Sequence, residues 1–370
     1  MRKKTILYIF LIFLINNGQL LGCTEIYVGN KTAGYGEART LDFPINPGNN
    51  TYTGFPQMLN TTRIVSLNKK PLPRNFKLKS WRNIYGYFGR TGWESKSIID
   101  GINTQGLSVS VLELDGSKYF LPGYGNTGKF NLSVYDVPNY ILSQAKNIYE
   151  AQKLLEFVNV VQSAAKFDQT NYINIGVHFA ISDSNGGHLI VQYTSNGTPT
   201  FHTNYTALSN NILDSTPTVL PDKSNCFMSS PILNYPVSIP PDDSVVRLFK
   251  ARAMINCVNT PESHNQVMYN AKSIISSLVI PLNTLWGTET AWASIKDLSN
   301  NVIYYQDYMQ PGEAPFSSSP SPDTFFDISN LMKIKTYDLN EMKLNIPQPN
   351  TSGLEKFDNN LLPYIIIHTL

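Results

Sequence analysis

Cys23-Thr24-Glu25-Ile26-Tyr27 and, a short turn later, Ala38-Arg39-Thr40-Leu41-Asp42-Phe43 are the stretches on which the fold turns. Cys23 follows directly on a secretory-signal pattern. Arg2, Lys3 and Lys4 give a charged start, and Ile6 through Ile15 are all apolar. Asn16, Asn17 and Gly18 end that run, and Gly22 is the small residue at a cut. The run is too short to span a bilayer, which takes about 20 apolar residues. Residues 1–22 therefore read as a signal peptide and 23–370 as one domain that starts at Cys23.

A cysteine at a new N-terminus carries a thiol and a free α-amine on one residue. The amine titrates near 7.7–8.0, so about neutral pH it can take the thiol proton. A neighbouring cation favours the thiolate, and Arg39 and Asp42 can bring a cation and a carboxylate beside it. Two other readings of Cys23 stand next to this one. It can be a plain buried or disulfide-bonded cysteine. Leu20-Leu21-Gly22-Cys23 also resembles a bacterial lipobox, in which a thioether lipid and an acylated amine block both nucleophile and base. Residues 1–30 alone leave nucleophile and lipoprotein about even. The chain is exported in either case, as a periplasmic or secreted protein or as a lipoprotein anchored through Cys23 and serving as a binding module.

Composition narrows the classes. Hydrophobic content of 42% supports a sizeable core. A net charge of +2 without a basic stripe gives no sign of a nucleic-acid partner. No later stretch is long and apolar enough for a stable membrane span. The 5 His include no His-x-x-x-His pair, and the 3 Cys no Cys-x-x-Cys, so no metal or other cofactor is expected. Cys226 and Cys257 are either a disulfide or two separate buried thiols. No Gly-x-Ser-x-Gly elbow supports a Ser-His-Asp hydrolase.

Strand-like runs open the chain at Glu25–Gly29, Gly36–Thr40 and Tyr85–Phe88, and Leu107–Leu112 alternates apolar with polar residues. Helices are expected over Tyr135–Lys146 and Ile148–Gln162, the second with Asn147 as N-cap and Glu150 three residues on. Hairpins follow at Val177–Ser182 with His188–Tyr193 and at Ala293–Leu298 with Val302–Tyr305. Helices near Ser244–Ile255 and Ser263–Leu278 lie between them. Leu213–Asp243 and Gln310–Asp323, rich in Pro and Ser, read as long loops. This order predicts layered α+β and not βαβ repeats.

Cys23-Thr24-Glu25-Ile26 with the Arg39-x-x-Asp42 spacing resembles the opening of the choloylglycine hydrolase family, which includes bile salt hydrolases and penicillin V acylases. Further blocks resemble that family in the same order. They are Asp100-Gly101-Ile102-Asn103, Val177-His178-Phe179, Leu208-Ser209-Asn210, Ser244-Val245-Val246-Arg247 and the closing hairpin from Thr288 to Tyr305. The resemblance covers roughly residues 23–310. It implies a four-layer αββα N-terminal-nucleophile hydrolase fold with two stacked, mainly antiparallel sheets. It implies an amidase of linear carbon–nitrogen amide bonds and a homo-oligomer, a tetramer.

Carried over onto this chain, the resemblance makes Cys23 the nucleophile and Arg39 its neighbouring cation. Asp42 becomes the group that orients thiol and amine, Asn210 an oxyanion donor, and Arg247 an electrostatic brace. A backbone N–H near Glu113 would be the second oxyanion donor. Glu113 departs from the Asn or Tyr of the relatives and bears on specificity, since a carboxylate there would repel an anionic substrate. Pro240-Pro241-Asp242-Asp243 is one residue short of the usual approach to Arg247. Taken singly, Arg39 with Asp42 can be an ordinary salt bridge, Asn210 a turn residue and Arg247 a solvated helix residue. The partner implied is a small amide with an apolar acyl group, such as a conjugated bile salt, penicillin V, an N-acyl amino acid or an acyl-homoserine lactone.

Overall fold

The structure is a computed structural model of the full chain. It describes residues 22–43, 50–65, 72, 76–92, 96–121, 128–166, 172–203, 205–213, 244–280, 289–308 and 332–335. In chain order come β1 (Thr24–Asn30), β2 (Gly34–Asp42), β3 (Thr51–Gly54), β4 (Leu59–Thr61), β5 (Ser80–Arg82), β6 (Tyr87–Thr91), β7 (Ile98–Asn103) and β8 (Ser108–Glu113). Next are β9 (Phe130–Ser133), α1 (Val137–Gln144), α2 (Ile148–Glu156), β10 (Val158–Val161), β11 (Ala165–Lys166), β12 (Tyr172–Ile173), β13 (Val177–Ser182) and β14 (His188–Ser195). The remainder are β15 (Thr198–His202), β16 (Ala207–Ser209), α3 (Ser244–Cys257), α4 (His264–Ser276), β17 (Thr290–Asp297), β18 (Val302–Asp307) and β19 (Met332–Lys335).

Two sheets dominate, one ordered β16-β1-β2-β17-β18-β19 and the other β15-β14-β13-β8-β7-β6-β3. Their neighbours pair antiparallel. Alternation along each strand gives both sheets two buried faces. Ile26, Ala38 and Ile295 pack on Leu248, Val267 and Ile274 of α3 and α4. Leu41, Trp292 and Ile303 meet Ile102, Leu112 and Ile190 between the sheets. Val109, Phe179 and Val191 pack on Ile141, Leu142, Ala151 and Leu155 of α1 and α2. The layers therefore run helix, sheet, sheet, helix, as expected.

One expected element is corrected. The helix over Ile148–Gln162 stops at Glu156, and Val158–Val161 instead runs parallel to β9. Val158, Val160 and Val161 are β-branched and suit a strand. Asn147 does cap the helix, accepting the Glu150 N–H at 3.0 Å. The Glu150 carboxylate takes the N–H of Lys146 at 3.1 Å, not that of the cap residue. The first predicted helix begins only at Val137, after a 3-10 turn over Val134–Asp136. The signal segment before Gly22, the loop after Leu213 and the Gln310–Asp323 loop lie outside the described residues. So does Cys226, while Cys257 ends α3. Among the described residues no helix is long and apolar enough to cross a membrane.

Candidate active site

The β1–β2 hairpin places Cys23 immediately before β1 and puts Glu25 opposite Arg39 across the ladder. Cys23, Glu25 and Tyr27 alternate onto the inter-sheet face, as do Glu37, Arg39 and Leu41 on β2. Cys23 is 4% exposed. Its backbone N–H donates to Asn210 Oδ1 at 3.1 Å, joining residues 187 apart in sequence. With that oxygen engaged, Asn210 Nδ2 is buried without a hydrogen-bond partner.

Burial pushes the Cys23 thiol above its ordinary value, and the Arg39 cation is the largest opposing influence. The Asp42 carboxylate adds to the rise, whereas the Asp42 backbone N–H and Arg247 favour the thiolate. Arg39 is fully buried and donates from Nη1 to the Ile99 carbonyl at 2.7 Å. Its guanidinium carbon stands 5.3 Å from the centre of the Trp292 ring.

Asp42 sits at the end of β2 with both carboxylate oxygens engaged. Thr290 donates to Oδ1 at 2.5 Å and Thr40 to Oδ2 at 2.9 Å. Arg247, on the first turn of α3, forms a buried ion pair with Oδ2. Burial raises the Asp42 pKa, with Arg247 and the two hydroxyls working against it.

Asn210, just past β16, is held from two directions. Ser244 at the start of α3 accepts its backbone N–H at 3.1 Å. From the other sheet, Gln192 donates to the Asn211 carbonyl at 3.2 Å and contacts His178 Nδ1 at 2.8 Å. Burial lowers the His178 pKa to about 3, so that ring is neutral.

Cys23, Arg39, Asp42, Asn210 and Arg247 thus converge, and all five are buried. The side chain of Glu113 does not join them. Ser108 and Ser110 reach Glu37 between the sheets. Alternation along β8 therefore assigns Glu113 to the other face, with Val109 and Val111. Its backbone is placed differently. The Leu114 N–H donates to the Gly176 carbonyl across β13, so the Glu113 N–H points toward the β7 side. The β7–β8 register stops short of it, at Asp100↔Ser110. Among the described residues no group of three or more His, Cys, Asp or Glu side chains is placed to hold a metal ion.

Sequence reasoning passed over Thr40, Thr290, Ser244 and Gln192, which hold the convergent residues in place. Their hydroxyl and amide groups carry no spacing signal. Thr40 lies inside the Arg39-x-x-Asp42 motif, and Ser244 and Thr290 inside blocks that resemble the family, but none of them was given a role there.

Residues 23–212 match the family described as linear amide C-N hydrolases, choloylglycine hydrolase family. The chain belongs to the choloylglycine hydrolase family. Members of this family are hydrolases acting on linear amide C–N bonds, and this chain is one of them. Solved structures agree on the fold. Penicillin V acylase from Agrobacterium tumefaciens superposes with a TM-score of 0.59 at 18% identity, covering 85% of this chain and 91% of that one. A mutant conjugated bile acid hydrolase from Clostridium perfringens gives 0.55 at 18% identity, covering 77% and 89%. The four layers are the N-terminal-nucleophile hydrolase fold. No curated protein matches the chain.

Proposed function

We propose that the chain is an exported amidase in which Cys23, freed by a cut after Gly22, attacks the carbonyl of an N-acyl substrate. The observation that carries this reading is the Cys23–Asn210 contact. It fixes the side-chain amide so that Oδ1 faces the nucleophile's own nitrogen and leaves the buried Nδ2 free to donate. In a chain starting at Cys23 that nitrogen is the α-amine.

In this mechanism the α-amine takes the thiol proton and Arg39 stabilises the thiolate. Sulfur adds to the amide carbon, and the oxyanion accepts hydrogen bonds from Asn210 Nδ2 and the Glu113 backbone N–H. Such a donor contributes about 2.7–4 kcal/mol in the transition state. The carbon–nitrogen bond breaks as the ammonium group protonates the leaving amine, giving an acyl-thioester. Water, deprotonated by the amine, then releases the acid. Asp42, anchored by Arg247, Thr40 and Thr290, orients the amine end of Cys23.

Substrates join an apolar acyl group to a polar amine, as conjugated bile salts, penicillin V, N-acyl amino acids and acyl-homoserine lactones do. We place the product of export in the periplasm or outside the cell, as a single domain over 23–370 that assembles as a homo-oligomer. Burial of the Cys23 thiol between the sheets speaks against a lipid on that sulfur. The test is Cys23→Ala assayed on those four substrate classes. Loss of all hydrolysis with an unchanged melting temperature supports the reading, and retained hydrolysis removes it.

A further inference from the structure

The layer between the sheets holds a charged cluster that the proposed mechanism does not use. Lys296 on β17 is fully buried. Its Nζ stands 2.6 Å from Asp100 Oδ1, 2.5 Å from Glu37 Oε1 and 2.7 Å from Ser110 Oγ. Ser110 donates to Glu37 at 2.6 Å or to Asp100 at 2.9 Å, and Ser108 also donates to Glu37. Asp100 Oδ1 is 4.0 Å from Arg39 Nη1.

Arg39 is the chief cation acting on Cys23, so any carboxylate that neutralises Arg39 weakens the thiolate. Two carboxylates are near enough. Asp100 is one, and the closer cation Lys296 occupies it. Glu25, opposite Arg39 in the ladder, is the other. Burial, then the nearby Glu37 charge, raises its pKa well above the ordinary range, which favours its neutral form. Lys296 remains charged because Asp100 and Glu37 overcome the downward pull of burial.

We infer that Lys296 is a positioning residue for the nucleophile: by binding Asp100 and Glu37 it leaves the Arg39 charge directed at Cys23. The inference rests on the reading of Cys23 as nucleophile. The charged and titratable groups facing Cys23 are Arg39, Asp42 and Arg247. Those facing Arg39 are Asp100, Glu25, His178 and Tyr305. The imidazole of His188 lies 3.8 Å from Glu25 and is neutral, its pKa lowered to about 4 by burial. Removing Lys296 deletes a cation and hands Asp100 to Arg39, and both changes disfavour thiolate. Removing the Asp100 charge does the reverse.

The experiment is the pH dependence of Cys23 alkylation by iodoacetamide on the full chain as isolated, with the Cys23 peptide quantified by mass. Lys296→Met moves the midpoint up by about one unit, Asp100→Asn moves it down by a similar amount, and the double variant returns toward wild type. One unit corresponds to about ten-fold in alkylation rate below the midpoint. If Lys296→Met does not fold, the near-isosteric Asp100→Asn carries the test alone. An Asp100→Asn midpoint that stays put or rises overturns the inference. Thiol titration does not depend on turnover, so this failure is distinct from failure of the amidase reading, which Cys23→Ala reports.

Discussion

The guanidinium of Arg247 fills the space that a side chain on Gly22 would need. A β-carbon at position 22 would stand 1.5 Å from Arg247 Nη2 and 2.5 Å from Cζ. Arg247 is 2% exposed and paired with Asp42, so it has little freedom to yield.

In the untrimmed chain Gly22→Val therefore presses on the guanidinium and strains its ion pair with Asp42. The expected outcome is a clearly lowered melting temperature together with poor removal of the leader, read from the mass of the N-terminus. An untrimmed Gly22→Val protein that melts as the untrimmed parent chain does would show that Arg247 yields to a side chain at position 22.

Asn210→Ala removes the side-chain donor proposed for the oxyanion. We predict a fall in kcat of about 10²–10³-fold. Steady-state kinetics on the preferred substrate check this, and a change confined to KM would assign Asn210 to binding.

Ser244→Ala takes away the hydroxyl that accepts the Asn210 N–H. One neutral hydrogen bond contributes about 1 kcal/mol, so loosening Asn210 should lower kcat by roughly five-fold at most with KM nearly constant. An Asn210→Ala, Ser244→Ala double variant no slower than Asn210→Ala would confirm that the serine acts through the amide.

Burial, with a smaller contribution from Asp115, pushes the Glu113 carboxyl up to about 8. Its folded pKa is above its unfolded value, so the stability lent by the neutral form is full below about pH 4.3. That contribution is lost as pH rises through about 8. Glu113→Gln stays neutral, so its melting temperature should exceed wild type increasingly from pH 5 to about 9. Equal melting curves across that range would place the carboxylate in solvent.

The fold was legible because alternation marks these strands on both faces. Leu107–Leu112 and the two late hairpins were read within three residues at every end. Val158–Val161 was misread because its valines continue the apolar face of the preceding helix, and only pairing with β9 makes them a strand. Cys23, Arg39 and Asp42 were readable from spacing along one hairpin. Asn210 and Arg247 came from family resemblance, since tertiary packing alone joins them to the hairpin. The cluster of Glu25, Glu37, Asp100 and Lys296 left no pattern. Those residues lie on four strands of two sheets, and their charges look like surface positions until both sheet faces are seen to be covered.

The most direct test of the central claim is the mass of the N-terminal peptide from enzyme quenched in acid during turnover of a hydrolysed N-acyl substrate. The account predicts a peptide beginning at Cys23 that carries the acyl group as a thioester. A peptide that retains residues before Cys23, or bears lipid there, from enzyme that still turns over would contradict it.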